Sequence, residues 1–204
     1  MENQNIKAVI YDGDGMVISS ETYYLALLRE FGSRAESLND FFANEFQQCL
    51  IGDGDLKEEI KPYLQKLGWK KGEEAFIEHW FESESKSDAD IIDSIKKIKL
   101  KGIKCYLASN QEKYRTDYVM KNMGLADVFD KIFFSSRVGY LKPQREFFEY
   151  IERELAAEEL DKHDALFWDD RGKNVELAND YGFNAELYRN FEVYVQIMKK
   201  YKLL

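Results

Sequence analysis

The sequence predicts an α/β fold: a doubly wound parallel sheet with a helical module inserted after its first strand. Three observations carry this. Five short apolar runs, at 8–12, 105–109, 132–135, 165–169 and 185–188, are near-continuous rather than alternating, the pattern of strands covered on both faces. Helical periodicity fills the gaps between the later runs, and strand–helix alternation implies parallel strands. The long interval between the first two runs holds helical patterns and no convincing strand.

The first run lies in KAVIYDGDGMV, Lys7 to Val17, and ends abruptly in two acids separated by one glycine. Gly13 and Gly15 allow a tight turn whose backbone N–H groups can face an anion. In the interval that follows, Tyr23, Tyr24, Leu27, Leu28 and Phe31 share one helix face, and Phe42 and Phe46 mark a second helix. Leu56, Ile60, Leu64 and Leu67 mark a third, and Phe76 and Trp80 a fourth. Pro62 is expected to kink or split the third. The polar exits, 17–20 and 82–88, are expected to serve as hinges. The domains expected are therefore a core of residues 1–18 and 88–204 and a helical insertion of residues 19–87.

Beyond the insertion, Ile91, Ile92, Ile95 and Ile98 share a helix face, and Gly102 stops that helix. Tyr114, Tyr118 and Met123 predict another, ending at Gly124. Phe147, Phe148, Ile151 and Leu155 predict a third. Val175, Ala178 and Tyr181 predict a fourth, closed by Gly182.

The chain's 204 residues suffice for one sizeable core or a core plus a small module. A net charge of -9 disfavours nucleic acid or an anionic membrane as partner. A small phosphorylated ligand stays open, because a bound cation can supply positive charge locally. Cys49 and Cys105, far apart in sequence, are expected as core residues rather than a disulfide. The first residues hold no apolar signal core, and no apolar run approaches the ~18 residues that cross a bilayer. A cytoplasmic location is the expectation.

In an open α/β sheet, ligands bind beyond the carboxyl ends of the strands. Here those ends carry Asp12-Gly13-Asp14-Gly15, Ser109-Asn110, the run from Ser135 to Lys142-Pro143, and Asp169-Asp170, with Asn174 four residues on. Clustered carboxylates suit a hard cation such as Mg²⁺, which offsets the repulsion among Asp12, Asp14 and Asp170. Ser109 can donate a hydrogen bond to a phosphate oxygen, and Lys142 offers it a point charge. Pro143 biases Lys142 toward extended backbone. Taken singly, each motif reads as a turn or a helix cap; together they form one constellation.

At these residues the sequence strongly resembles the haloacid dehalogenase-like (HAD) hydrolase superfamily, across nearly the whole chain. Asp12-Gly13-Asp14-Gly15, Ser109, Lys142-Pro143 and Asp169-Asp170 are similar to its four motifs, in order. SSRVGYLKP and FWDDRGKNVELANDYGF resemble the C1-capped phosphatase branch that includes sugar-phosphate phosphatases and the N-terminal phosphatase domain of soluble epoxide hydrolases. The resemblance implies a Rossmann-like core, a helical cap and a Mg²⁺-dependent phosphatase acting on a small phosphorylated metabolite, a sugar phosphate for example. It implies Asp12 as nucleophile, through an aspartyl-phosphate, and Asp14 as acid and base. Ser109, Lys142 and backbone amides near Gly13 would hold the phosphoryl group, with Asn110 beside the substrate. Mg²⁺ would be held by Asp12, the Asp14 carbonyl and Asp170; Asp169 would bind through water or orient Lys142.

Two departures stand out. Gly13 replaces a bulky apolar residue of many relatives, which implies a looser nucleophile loop, and Gln144-Arg145 follows Lys142-Pro143 where relatives often carry Asp-Pro. Asp14 argues against a haloacid dehalogenase, which needs no acid there. Phosphotransfer in the manner of a phosphoglucomutase, a phospho-accepting signalling module and an inactive binding protein stay open as alternatives, as do monomer and homodimer. His79 and His163 are expected on the surface. The loop Ile51-Gly52-Asp53-Gly54 is expected to approach the site.

Overall fold

The computed structural model describes residues 5–19 and 22–204. Its five strands form one parallel sheet in the order β3-β2-β1-β4-β5. They are β1 (Ala8–Asp12), β2 (Lys104–Ser109), β3 (Lys131–Phe134), β4 (Ala165–Asp169) and β5 (Asn184–Leu187). Alternate residues enter two separate apolar layers. Val9, Tyr11, Leu107 and Trp168 point into one, and Ala8, Ile10, Tyr106 and Phe167 into the other. Both faces are covered, which is why the strands read as unbroken apolar runs.

The helices between β1 and β2 are α1 (Tyr23–Phe31), α2 (Leu38–Ala43), α3 (Glu45–Ile51), α4 (Leu56–Leu67), α5 (Gly72–Ser83) and α6 (Ala89–Lys99). Later come α7 (Lys113–Lys121), the one-turn α8 (Ser135–Val138), α9 (Arg145–Ala156), α10 (Gly172–Tyr181) and α11 (Phe191–Lys200). Ile91, Ile95 and Ile98 of α6, Val119 of α7, and Tyr194 and Met198 of α11 cover the first face. Phe147, Phe148, Ile151 and Leu155 of α9 and Ala178 of α10 cover the second.

Helices α1 to α5 share a third cluster dominated by rings, with Tyr23, Phe41 and Phe76 fully buried. Contrary to expectation, α4 runs unbroken through Pro62. Pro62 is exposed, and the face carrying Leu56, Ile60, Leu64 and Leu67 spans it; burying those residues outweighs the one backbone hydrogen bond that proline removes. Asp55 caps the start of α4 by accepting from Lys57 N at 2.9 Å. The two exits run side by side: Ser19 N donates to Lys86 O and Asp88 N to Val17 O, each at 2.9 Å. Ser20, the last residue of the first exit, lies outside the described residues.

Two further expectations are corrected. The buried face of α7 is Arg115, Thr116 and Val119, because Tyr114 and Tyr118 turn instead toward the inserted helices. Strand β5 is half-buried throughout, as befits an edge, and so carries Asn184 and Glu186. Helix α11 has no counterpart among the expected elements; its only fully buried residues are Tyr194 and Met198, a thin signal. Among the described residues, no helix is long and apolar enough to cross a membrane.

Candidate active site

The order of the sheet reverses at β1: β2 and β3 lie to one side, β4 and β5 to the other. A crevice opens at such a reversal, beyond the strand ends. Register aligns the ends that border it. Asp12 pairs with Ala108, and Asp169 follows the Tyr11–Trp168 pair by one residue.

Two glycines let the loop after β1 close against its neighbours. Gly15 has φ +91, and a Cβ there would lie 2.2 Å from Asp170 Oδ2. A Cβ on Gly13 would lie 2.5 Å from Ser109 Oγ. The space that a bulky residue would need at position 13 is thus filled by Ser109.

Lys142 sits at the centre and is 5% exposed. Its Nζ donates to Asp12 Oδ1 at 2.6 Å, to Asp169 Oδ2 at 2.7 Å and to Ala108 O at 2.8 Å. Three protons meet three acceptors on three adjacent strands. Asp12 Oδ1 also accepts from Gly13 N at 2.6 Å. Asp169 Oδ1 accepts from Arg171 N at 2.9 Å and Asn174 Nδ2 at 2.8 Å. Asn110 clamps the Lys142 backbone: its Oδ1 accepts from Lys142 N at 2.9 Å, and its Nδ2 donates to Lys142 O at 3.0 Å. Gln111 Nε2 donates to Asp14 Oδ2 at 2.8 Å and to Ser109 Oγ at 3.1 Å.

Electrostatics follow from this packing. Burial pushes the Asp12 carboxyl up to about 7; Lys142 opposes that and Asp169 adds to it. Burial works against the charge on Lys142, but Asp12 and Asp169 outweigh it and raise its pKa. Asp14 is exposed at the cavity mouth; the protein packed around its base still strips away some water and raises its carboxyl above the usual range, against the pull of Arg115 and Gln111.

One oxygen each of Asp12, Asp169 and Asp170 lies within 4.8 Å of the others. Such all-oxygen donors fit a hard cation like Mg²⁺. Both Asp169 oxygens already accept hydrogen bonds. Among the described residues, Asp12 Oδ2, the Asp170 carboxylate and the Asp14 main-chain carbonyl accept none. The capacity to hold a cation therefore lies with these three.

A small cavity of about 40 Å³ is lined by Asp12, Asp14, Ser109, Lys142 and Asn174. It shares Asp14, Asn110, Lys142 and Arg171 with a neighbouring cavity of about 510 Å³. The inserted helices wall the larger one with Phe42, Phe46, Leu50, Trp80 and Phe81. Contacts seat them on the core: Ser135 Oγ donates to Leu50 O at 2.6 Å, Lys113 Nζ pairs with Asp55 Oδ2 at 2.6 Å, and Arg115 donates to Phe81 O at 3.0 Å and to Glu84 O.

The structure thus brings Asp12, Gly13, Asp14, Ser109, Asn110, Lys142, Asp169 and Asp170 to one edge. The loop Ile51-Gly52-Asp53-Gly54 does not line either cavity. It rests on α8, where a Cβ on Gly52 would lie 2.5 Å from Ser136 O. His79 is exposed, hydrogen-bonded to Tyr23 Oη at 2.8 Å, and lines a different pocket; His163 is exposed. Sequence reasoning missed Gln111 and Arg115, and gave Asn174 no part. Their one signal is position, just past β2 or β4.

A family model described as haloacid dehalogenase-like hydrolase matches residues 6–182. The chain belongs to the haloacid dehalogenase-like hydrolase family. Solved structures share its fold at low sequence identity. A HAD family enzyme from Bacteroides thetaiotaomicron, in complex with magnesium, is 19% identical with a TM-score of 0.78, covering 96% of this chain and 99% of that one. The same enzyme with magnesium and inorganic phosphate gives a TM-score of 0.74 at 20% identity, covering 90% and 94%. A predicted HAD-like family hydrolase from Porphyromonas gingivalis gives 0.78 at 19%, covering 96% and 97%. L-2-haloacid dehalogenase from Xanthobacter autotrophicus gives 0.64 at 20%, covering 94% and 81%. The search of curated proteins returned no match.

Proposed function

We propose that this HAD-like hydrolase is a Mg²⁺-dependent phosphomonoesterase whose inserted helices form a cap over the site. The observation that carries the reading is a second acid, Asp14, two residues beyond Asp12 and facing the same cavity. Its raised pKa suits a group that must deliver a proton. A dehalogenase has no alcohol to protonate. The fold relative that holds magnesium and inorganic phosphate supports the same chemistry.

In this reading, a carboxylate oxygen of Asp12 attacks phosphorus, and the P–O bond to the alcohol breaks. Asp14 gives its proton to the departing oxygen. Asp14 then removes a proton from water as that water attacks the aspartyl-phosphate, which frees inorganic phosphate and restores Asp12. Lys142 favours the ionised form of Asp12 against the effect of burial and, with Ser109, faces the phosphoryl oxygens. Asp169 and Asn110 fix the Lys142 side chain and backbone respectively. Gln111 aims the Asp14 carboxylate. Asp12, Asp170 and the Asp14 carbonyl would hold Mg²⁺, which supplies charge neutralisation for the incoming phosphate.

The test is release of inorganic phosphate from a panel of phosphomonoesters with magnesium present. The reading expects turnover that chelation by EDTA abolishes and magnesium restores. Halide release from 2-haloacids without phosphate release would favour a dehalogenase. Isomerisation of a sugar phosphate without phosphate release would favour a mutase.

A further inference from the structure

The phosphatase reading leaves the alcohol half of the substrate undefined, and the larger cavity bears on it. Phe42, Phe46 and Trp80 stand together on its cap side. Their ring centroids are 5.5 Å (Phe42–Phe46), 5.6 Å (Phe42–Trp80) and 5.4 Å (Phe46–Trp80) apart. At such spacing the rings touch one another and form a continuous wall.

Several polar side chains of the same cavity already hold partners. Each oxygen of Glu84 accepts a hydrogen bond, from Tyr23 N and Trp80 Nε1. Each oxygen of Glu112 accepts one too, from Tyr114 N and Arg115 N, which caps α7. Arg115 donates to the Phe81 and Glu84 carbonyls. Asn110 holds Lys142, and Gln111 holds Asp14 and Ser109. Polar capacity remains with Arg171 and Gln144, both exposed, with the amide oxygens of Gln47 and Gln111, and with the N–H groups of Arg115 that the two carbonyls leave unused.

A sugar packed against this wall would give up water on several hydroxyls and find no partner among the rings, whose one N–H already donates to Glu84; that costs free energy for each unmatched group. An apolar body gives up nothing and gains contact with the rings. The volume of about 510 Å³ accommodates a ring-sized leaving group beside the phosphate.

We propose that the substrate's leaving alcohol carries an apolar, ring-bearing body that packs against the Phe42–Phe46–Trp80 wall, rather than being a sugar or other polyol. The proposal rests on the phosphomonoesterase reading. It replaces the sugar phosphate that the sequence resemblance suggests.

The test compares 2-phenylethyl phosphate with glucose 6-phosphate; both release a primary alcohol, so leaving-group basicity is nearly matched. Two measurements are made: kcat/KM on the native enzyme with magnesium, and calorimetric affinity for the Asp12→Asn variant. The expected result is a preference of about tenfold or more for the phenylethyl ester in both. Phe46→Ala should shrink that ratio by raising KM for the phenylethyl ester. Equal or reversed preference in turnover and affinity overturns the proposal while leaving the phosphatase reading intact. No turnover of either ester, with the binding preference retained, overturns the phosphatase reading and keeps the pocket assignment. If Phe46→Ala does not fold, the native comparison alone decides.

Discussion

The sheet edge and the inserted helices border the same cavity and are held by opposite kinds of force. At the edge, the buried charges of Lys142, Asp12 and Asp169 are fixed by short directional bonds from neighbouring strands and loops. In the insertion, rings meet rings: Tyr23 lies 5.5 Å from Phe76, and Trp69 lies 5.4 Å from Phe76. Directional bonds hold reacting atoms in place, and a buried charge without its partner is expensive. Ring packing sets a shape, and its energy is spread over many weak contacts. The difference teaches how labour would divide under the proposed function, with chemistry at the strand ends and selection of the leaving group above them.

The sharpest way to break this contrast is Lys142→Met. It leaves the buried carboxylates of Asp12 and Asp169 without their cation, and stability should fall by about 3–5 kcal/mol. Turnover should vanish with it. Denaturant unfolding and phosphate release check both. A stable, active variant would show that the edge cluster is neither the structural nor the chemical centre.

Phe76→Ala probes the other side. It removes a fully buried ring of the insertion that does not line the cavity, and should cost about 3–5 kcal/mol. If the division holds, this variant, assayed below its melting temperature, changes KM more than kcat. A collapse of kcat with unchanged KM would mean that insertion packing reaches the reacting atoms.

The strands and the acids at their ends were readable because the sheet is covered on both faces. An apolar run that stops at Asp12, Ser109 or Asp169 has left the core for the crevice. Readable too was the buried face of α9, whose Phe147, Phe148, Ile151 and Leu155 keep strict helical spacing. The residues that support the site were less visible. Gln111, Arg115 and Asn174 are ordinary polar residues near helix starts, and only the folded chain aims them at Asp14, the carbonyls of the insertion and Asp169. Pro62 misled because its local penalty is set against four buried residues of its own helix, which pack on the other inserted helices. The closeness of Gly13 to Ser109, nearly a hundred positions along, is likewise a tertiary fact.

The central claim is that Asp12 is the atom donor that captures phosphorus. Phosphate release by Asp12→Asn, which preserves shape and removes the nucleophilic charge, tests it most directly. The account predicts a loss of about 10⁴-fold or more in kcat, with the variant folded as judged by its melting transition. A folded Asp12→Asn protein that still turns over phosphomonoesters within about tenfold of the native rate would contradict it.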